Sequence, residues 1–111
     1  MKQVKSKLYQ QGDVLLFKEE KIPEDVKPMN TDNRGIVLAE GEVTGHYHSI
    51  AELDACESFK DSTGNMWLNV LSPVKIRHQE HKQVSLPKGK YRVGIVREVD
   101  PFAEEIHKVK D

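Results

Sequence analysis

The stretch that decides the fold is Val74 to Leu86, VKIRHQEHKQVSL. Val74, Ile76 and His78 fall on one side of an extended chain, with Lys75 and Arg77 on the other. After a polar break from Gln79 to Lys82, Val84 and Leu86 restart the same alternation. A period of two on both sides of a polar turn predicts a β-hairpin with one buried face. The neighbouring segments repeat that signal. Tyr91 to Val99, YRVGIVREV, sets Tyr91, Val93 and Ile95 against Arg92, Gly94 and Val96, and is the longest strand expected, crossing the sheet centre. In Met66 to Leu71 both faces are largely apolar, which predicts a strand covered on both sides, with Trp67 anchoring a core or an interface. Asp13 to Lys18 (DVLLFK) and Gly35 to Glu40 (GIVLAE) are aliphatic and β-branched runs that read as core strands.

Helix has little room. Glycines and prolines such as Gly12, Pro23, Pro28, Gly35, Gly41, Gly45, Gly64, Pro73, Pro87, Gly89 and Gly94 interrupt the chain at short intervals. Only Ile50 to Glu57 (IAELDACE) and the segment after Asp100-Pro101 carry helix-compatible residues, each for about two turns. Between the first two strands, IPEDVKP suits a mobile, extended surface loop. The expected fold is all-β: one small domain over residues 1–111, a barrel or sandwich of about seven short strands. Its lysine-rich ends, about 1–8 and 108–111, are expected to fray. In 111 residues, 32% are charged and 37% hydrophobic, so the core is thin and a large buried cavity is not expected. The formal net charge of -1 supplies no field for nucleic acid, and no apolar run reaches the length of a membrane span. With a single cysteine, Cys56, no disulfide or CxxC motif can form within the chain, which fits a cytoplasmic protein. Flanked by Ala55 and Glu57, Cys56 reads as a small core residue unless a histidine approaches it.

The chemical signal lies in the histidines. Four of the five fall into two pairs, His46 and His48 in GEVTGHYHSI, and His78 and His81 in RHQEH. Residues i and i+2 of a strand share a face, so His46 and His48 would converge on one ion while Tyr47 faces away. Glu52 would bring a carboxylate to the same place. His78 and His81 would meet only if a turn through Gln79 and Glu80 folds the chain back. Three imidazoles with Glu52 or Glu80, and no thiolate, make a donor set for zinc, iron, manganese or nickel. The competing reading is that these histidines end strands and turns simply as amphipathic, hydrogen-bonding residues.

Gly41, His46, His48 and Glu52, followed by Pro87 and Gly89, resemble the cupin superfamily pattern of glycine, HxH, glutamate and PxG, with Arg92 at the place of the last histidine. The resemblance implies a small β-barrel with His46, His48 and Glu52 as metal ligands, and leaves His78 or His81 to complete the set. QGDVLLF, GEVTGHYH, LPKGKYRV and REVD are similar to small proteins of unknown function from bacteria and their phages. That likeness implies a phage or mobile-element accessory role. DVLLFKEE and GIVLAEGEV also resemble the co-chaperonin barrel. The expected function is thus a small cupin-like metal-binding protein holding a divalent transition metal. The alternative is a non-catalytic module whose edge strands and Trp67 surface bind another protein or a second copy of this chain.

Overall fold

The computed structural model describes residues 8–40 and 45–96. They form ten strands: β1 (Leu8–Gln11), β2 (Val14–Glu19), β3 (Lys27–Pro28), β4 (Ile36–Glu40), β5 (Tyr47–Ile50), β6 (Cys56–Lys60), β7 (Met66–Val70), β8 (Val74–Arg77), β9 (Val84–Leu86) and β10 (Gly89–Ile95). Every pairing is antiparallel. One sheet has six strands in the order β1-β2-β10-β7-β6-β3, and the other four in the order β4-β5-β8-β9. Val14, Leu16, Leu68, Tyr91 and Val93 from the first sheet share one core with Ile36, Ile50, Val74, Ile76 and Leu86 from the second. The domain is therefore an all-β sandwich whose inner faces are the apolar sides of alternating strands.

The hairpin read from Val74 to Leu86 is β8 paired with β9, in the register Val74↔Leu86 and Ile76↔Val84. Val74, Ile76 and Leu86 are at most 1% exposed, while Lys75 and Ser85 face solvent. β10 lies between β2 and β7, within the six-stranded sheet as its length suggests. Its Tyr91 is fully buried, donates its hydroxyl to Pro87 O at 2.7 Å, and meets Tyr9 edge-on at 5.9 Å. Burial pushes the Tyr91 phenol up to about 12.

Three strands exceed the expected seven. β1 begins at Leu8, at the limit of the end expected to fray, because Tyr9 and Gln11 both have inner-face partners. β3 is two residues long and pairs only with β6, so Pro28 sits on an edge where its missing N–H costs no ladder bond. A turn and the start of β6 replace the helix expected over Ile50 to Glu57. There Ile50 ends β5, a turn closes with Ala55 N–H on Glu52 O at 3.1 Å, and Cys56 starts β6. Strand pairing of Cys56 with Val70 and burial of the thiol outweigh a helical preference too short to nucleate alone. The expected helix after Asp100-Pro101, the strand end from Arg97 to Val99, and His107 lie outside the described residues.

Both faces of β7 are covered. Leu68 and Val70 face the core, and Trp67 on the other face is 8% exposed, its indole N–H donating to Asp61 Oδ2 at 2.9 Å. Asp61 Oδ1 also accepts from Thr63 N and Asn65 N at 2.9 Å, closing the β6–β7 turn. These hydrogen bonds, that of Trp67 foremost, hold the carboxyl well below the usual range. Beside Trp67 in register is Arg92, whose guanidinium carbon lies 4.4 Å above the Phe17 ring centre. At the opposite sheet, Gly35 takes φ +94°, and a Cβ there would collide with Ile50 O, so the chain enters β4 pressed against β5. Among the described residues no helix is long and apolar enough to cross a membrane.

Two outcomes follow from this packing. Ile76→Ala should lower unfolding free energy by about 2–5 kcal/mol in a urea titration, the ordinary cost of emptying a filled core position. The Cys56 thiol, pushed up to about 12 chiefly by burial, should resist iodoacetamide at pH 8 in the folded domain and react once urea unfolds it.

Candidate functional site

The inner-face rows of the four-stranded sheet run out into histidine. Along β8, Val74 and Ile76 are followed on the same side by His78; along β5, Ile50 is preceded by His48 and then His46. β5 and β8 pair with Ser49 opposite Arg77 and Ile50 opposite Ile76, so the next step of the ladder sets His48 beside His78. Tyr47 N–H donates to Gln79 Oε1 at 2.8 Å and ties the start of β5 to the turn after β8.

That turn folds around the His78 ring. His78 Nδ1 accepts the backbone N–H of Glu80 at 3.0 Å and that of His81 at 3.2 Å, much as an aspartate side chain caps an Asx-turn. The chain doubles back, and the His78 and His81 ring centres come within 4.5 Å. His78 is also 4.3 Å from His48 and 5.6 Å from His46, while His48 and His81 stack at 5.9 Å with 16° between planes. The two histidine pairs of the sequence therefore form one cluster, with His78 in contact with the other three. It grades from His48, 4% exposed, to His81 and Glu80 in solvent.

The β1–β2 hairpin closes over the cluster. Gln11 and Val14 are paired, leaving Gly12 and Asp13 as a two-residue turn. Gly12 has φ +60° and Asp13 has none above zero, which is the type II′ pattern. Gly12 is required twice over, since a Cβ there would lie 2.7 Å from His81 Nε2 and 3.3 Å from His48 Cε1. Gln11, 3% exposed, donates its amide to Ile76 O at 2.9 Å and to Lys82 O at 2.8 Å, and its Oε1 lies 2.8 Å from His48 Nδ1. Asp13 Oδ1 stands 3.7 Å from His48 Nε2, and Glu80 Oε2 stands 3.8 Å from His46 Nε2. Burial, then the neighbouring His81 and His46, lower the pKa of His78 and favour its neutral form.

Glu52 is elsewhere. Its carboxylate meets the Arg77 guanidinium at 3.1 and 3.2 Å, on the solvent side of β8, and that pairing holds it below the ordinary carboxylate range. An ion-paired carboxylate on the outer face is not brought to rings on the inner face. Cys56, in the core with no histidine among its described contacts, has no activated thiol. Arg92, at the place where the cupin pattern has its last histidine, lies on the six-stranded sheet over Phe17. Sequence reasoning missed Gln11, Gly12, Asp13 and Gln79; the available signal was Gly12-Asp13 ahead of an aliphatic, β-branched run, the chemistry of a tight hairpin turn. Among the described residues, no three His, Cys, Asp or Glu side chains stand close enough to grip a metal ion without moving.

Gly12→Ala tests the fit of the turn. The substitution should lower stability by about 1–3 kcal/mol, through positive φ and overpacking together, and should shift the His48 and His81 ring signals in an NMR spectrum.

Comparison with curated proteins and with solved structures returns no match. A family model matches residues 10–96, which span every described strand except the start of β1 and enclose Gln11, Asp13 and all four clustered histidines. The chain belongs to the family described as Domain of unknown function (DUF8820).

Proposed function

We propose that this domain binds a divalent transition metal ion, zinc, iron, manganese or nickel, in the histidine cluster at the end of the sandwich. One observation carries the reading: His46, His48 and His81, from two separate parts of the chain, gather around the His78 ring, with the His48 and His81 ring centres 5.9 Å apart and Asp13 Oδ1 3.7 Å from His48 Nε2. Two histidines on a tetrahedral ion, each at about 2 Å through nitrogen, hold their ring centres about 5 Å apart. The His48–His81 spacing suits a shared guest, and rotation of the His46 and His81 side chains brings their nitrogens toward it. Asp13 and Glu80 bring carboxylate oxygens beside ring nitrogens, so the donors are nitrogen and oxygen without sulfur, which suits these metals. In this reading Asp13 supplies the carboxylate expected from Glu52. Exposure of His81 leaves one side of the site open to solvent and to a further ligand. The likeness to small proteins of bacteria and their phages supports an accessory role for such a protein.

The test is elemental analysis of protein purified without a histidine tag or added metal, beside a variant carrying His46→Ala and His48→Ala. The parent should hold close to one equivalent of a transition metal and lose thermal stability to a chelator, and the variant should show neither property. Absence of metal from both, with melting temperatures unmoved by added zinc, nickel, manganese or ferrous iron, would overturn the proposal.

A further inference from the structure

The hydrogen bonds around the cluster settle more than its position. Gln11 Nε2 faces two backbone carbonyl oxygens, Ile76 O and Lys82 O, which can only accept. The amide is thereby oriented, and its Oε1, itself only an acceptor, points at His48 Nδ1. His48 must therefore carry its proton on Nδ1, and in the neutral ring the lone pair is on Nε2. At His78 the logic runs the other way. Two backbone N–H groups, which can only donate, converge on Nδ1, so in the neutral ring the lone pair is on Nδ1 and the proton on Nε2.

We infer that the two central histidines are locked in opposite tautomers and have opposite tasks. His48 binds the metal through Nε2, while His78 is no ligand but an Nε2–H donor to an anionic oxygen ligand carried by that metal, such as a carboxylate or hydroxide. This deepens the metal-binding reading and rests on it. A histidine ligand ordinarily donates its second ring N–H to a carbonyl oxygen, and Gln11 Oε1 provides such an acceptor for His48. Ligation through His78 Nε2 would need a proton on Nδ1, pointed into two N–H groups, and would release the turn that presents His81. A buried or half-buried donor beside a metal stabilises negative charge on the oxygen that the metal holds.

The first measurement is a long-range ¹H–¹⁵N spectrum of the metal-free protein labelled at histidine. His48 should show a pyrrole-type Nδ1 and a pyridine-type Nε2, and His78 the reverse; the same tautomer at both would overturn the inference. Addition of Zn²⁺ should then move His48 Nε2 and leave the His78 Nε2–H in place, whereas loss of that proton would make His78 a ligand. Calorimetry with Zn²⁺ separates the roles further. His48→Ala should weaken binding on the order of 100-fold, and His78→Asn, whose Oδ1 can still accept the turn N–H groups, should stay within about tenfold of the parent. With Co²⁺ bound, formate should alter the visible spectrum of the parent, and His78→Asn should need at least about tenfold more formate for the same change. Equal formate affinity in both, or loss of Zn²⁺ binding by His78→Asn as severe as by His48→Ala, would refute the donor role. If the parent binds none of Zn²⁺, Ni²⁺, Mn²⁺ and Fe²⁺, the metal reading and the two tasks fall together, and the tautomer pair is judged separately on the metal-free spectrum.

Discussion

The buried amide of Gln11 is what holds the histidine end of the sandwich together. Its two N–H groups reach Ile76 O on β8 and Lys82 O in the turn beyond, and its oxygen meets His48 on β5, so one side chain of the six-stranded sheet joins three points of the four-stranded layer. An apolar residue there would remove one hydrogen bond from each of two carbonyls and from a ring nitrogen that is itself buried. Among the described residues no buried side-chain nitrogen or oxygen lacks a hydrogen-bond partner, and Gln11 reaches Lys82, 71 positions away along the chain. The β1–β2 hairpin is thereby fixed against the cluster, with Gly12 thin enough to pass the rings and Asp13 held beside His48.

Along β5 and β8 the same inner face changes chemistry without changing geometry. Ile50 and Ile76 are fully buried and hold the two sheets together by apolar contact; His48 and His78, one alternation further on, continue the rows as polar rings. A site built this way takes its rigidity from the core beneath it, because the backbone that carries the rings is also the backbone that carries the packed isoleucines. The outer face of the six-stranded sheet follows a different rule. Arg92 lies over Phe17 and near Glu19, and Trp67 is pinned to Asp61, so the aromatic rings there are engaged within the domain.

Local pattern made much of this legible. Period-two alternation identified β8, β9 and β10, aliphatic and β-branched runs identified β2 and β4, a run apolar on both faces identified β7, and strand parity placed His46 and His48 on one face. It failed where the deciding contact is distant. IAELDACE has helical composition, yet Cys56 pairs with Val70 and Glu52 is drawn to Arg77, contacts that no window of eight residues contains. The cupin pattern assigned Glu52 by spacing along the chain, and the carboxylate found near His48 instead belongs to Asp13, from a hairpin far upstream.

Legible in the residues alone were the β class, the buried face of β8, β9 and β10 and the shared face of His46 and His48, because side-chain direction in a strand depends only on parity along the chain. Only the packing of remote segments makes the pairs meet, sets Asp13 rather than Glu52 beside them, and turns His48 Nδ1 toward an amide oxygen and His78 Nδ1 toward two backbone N–H groups. Those outcomes depend on the register between β5 and β8 and on which donor or acceptor each ring nitrogen faces, and both arise only when segments remote in sequence are packed together.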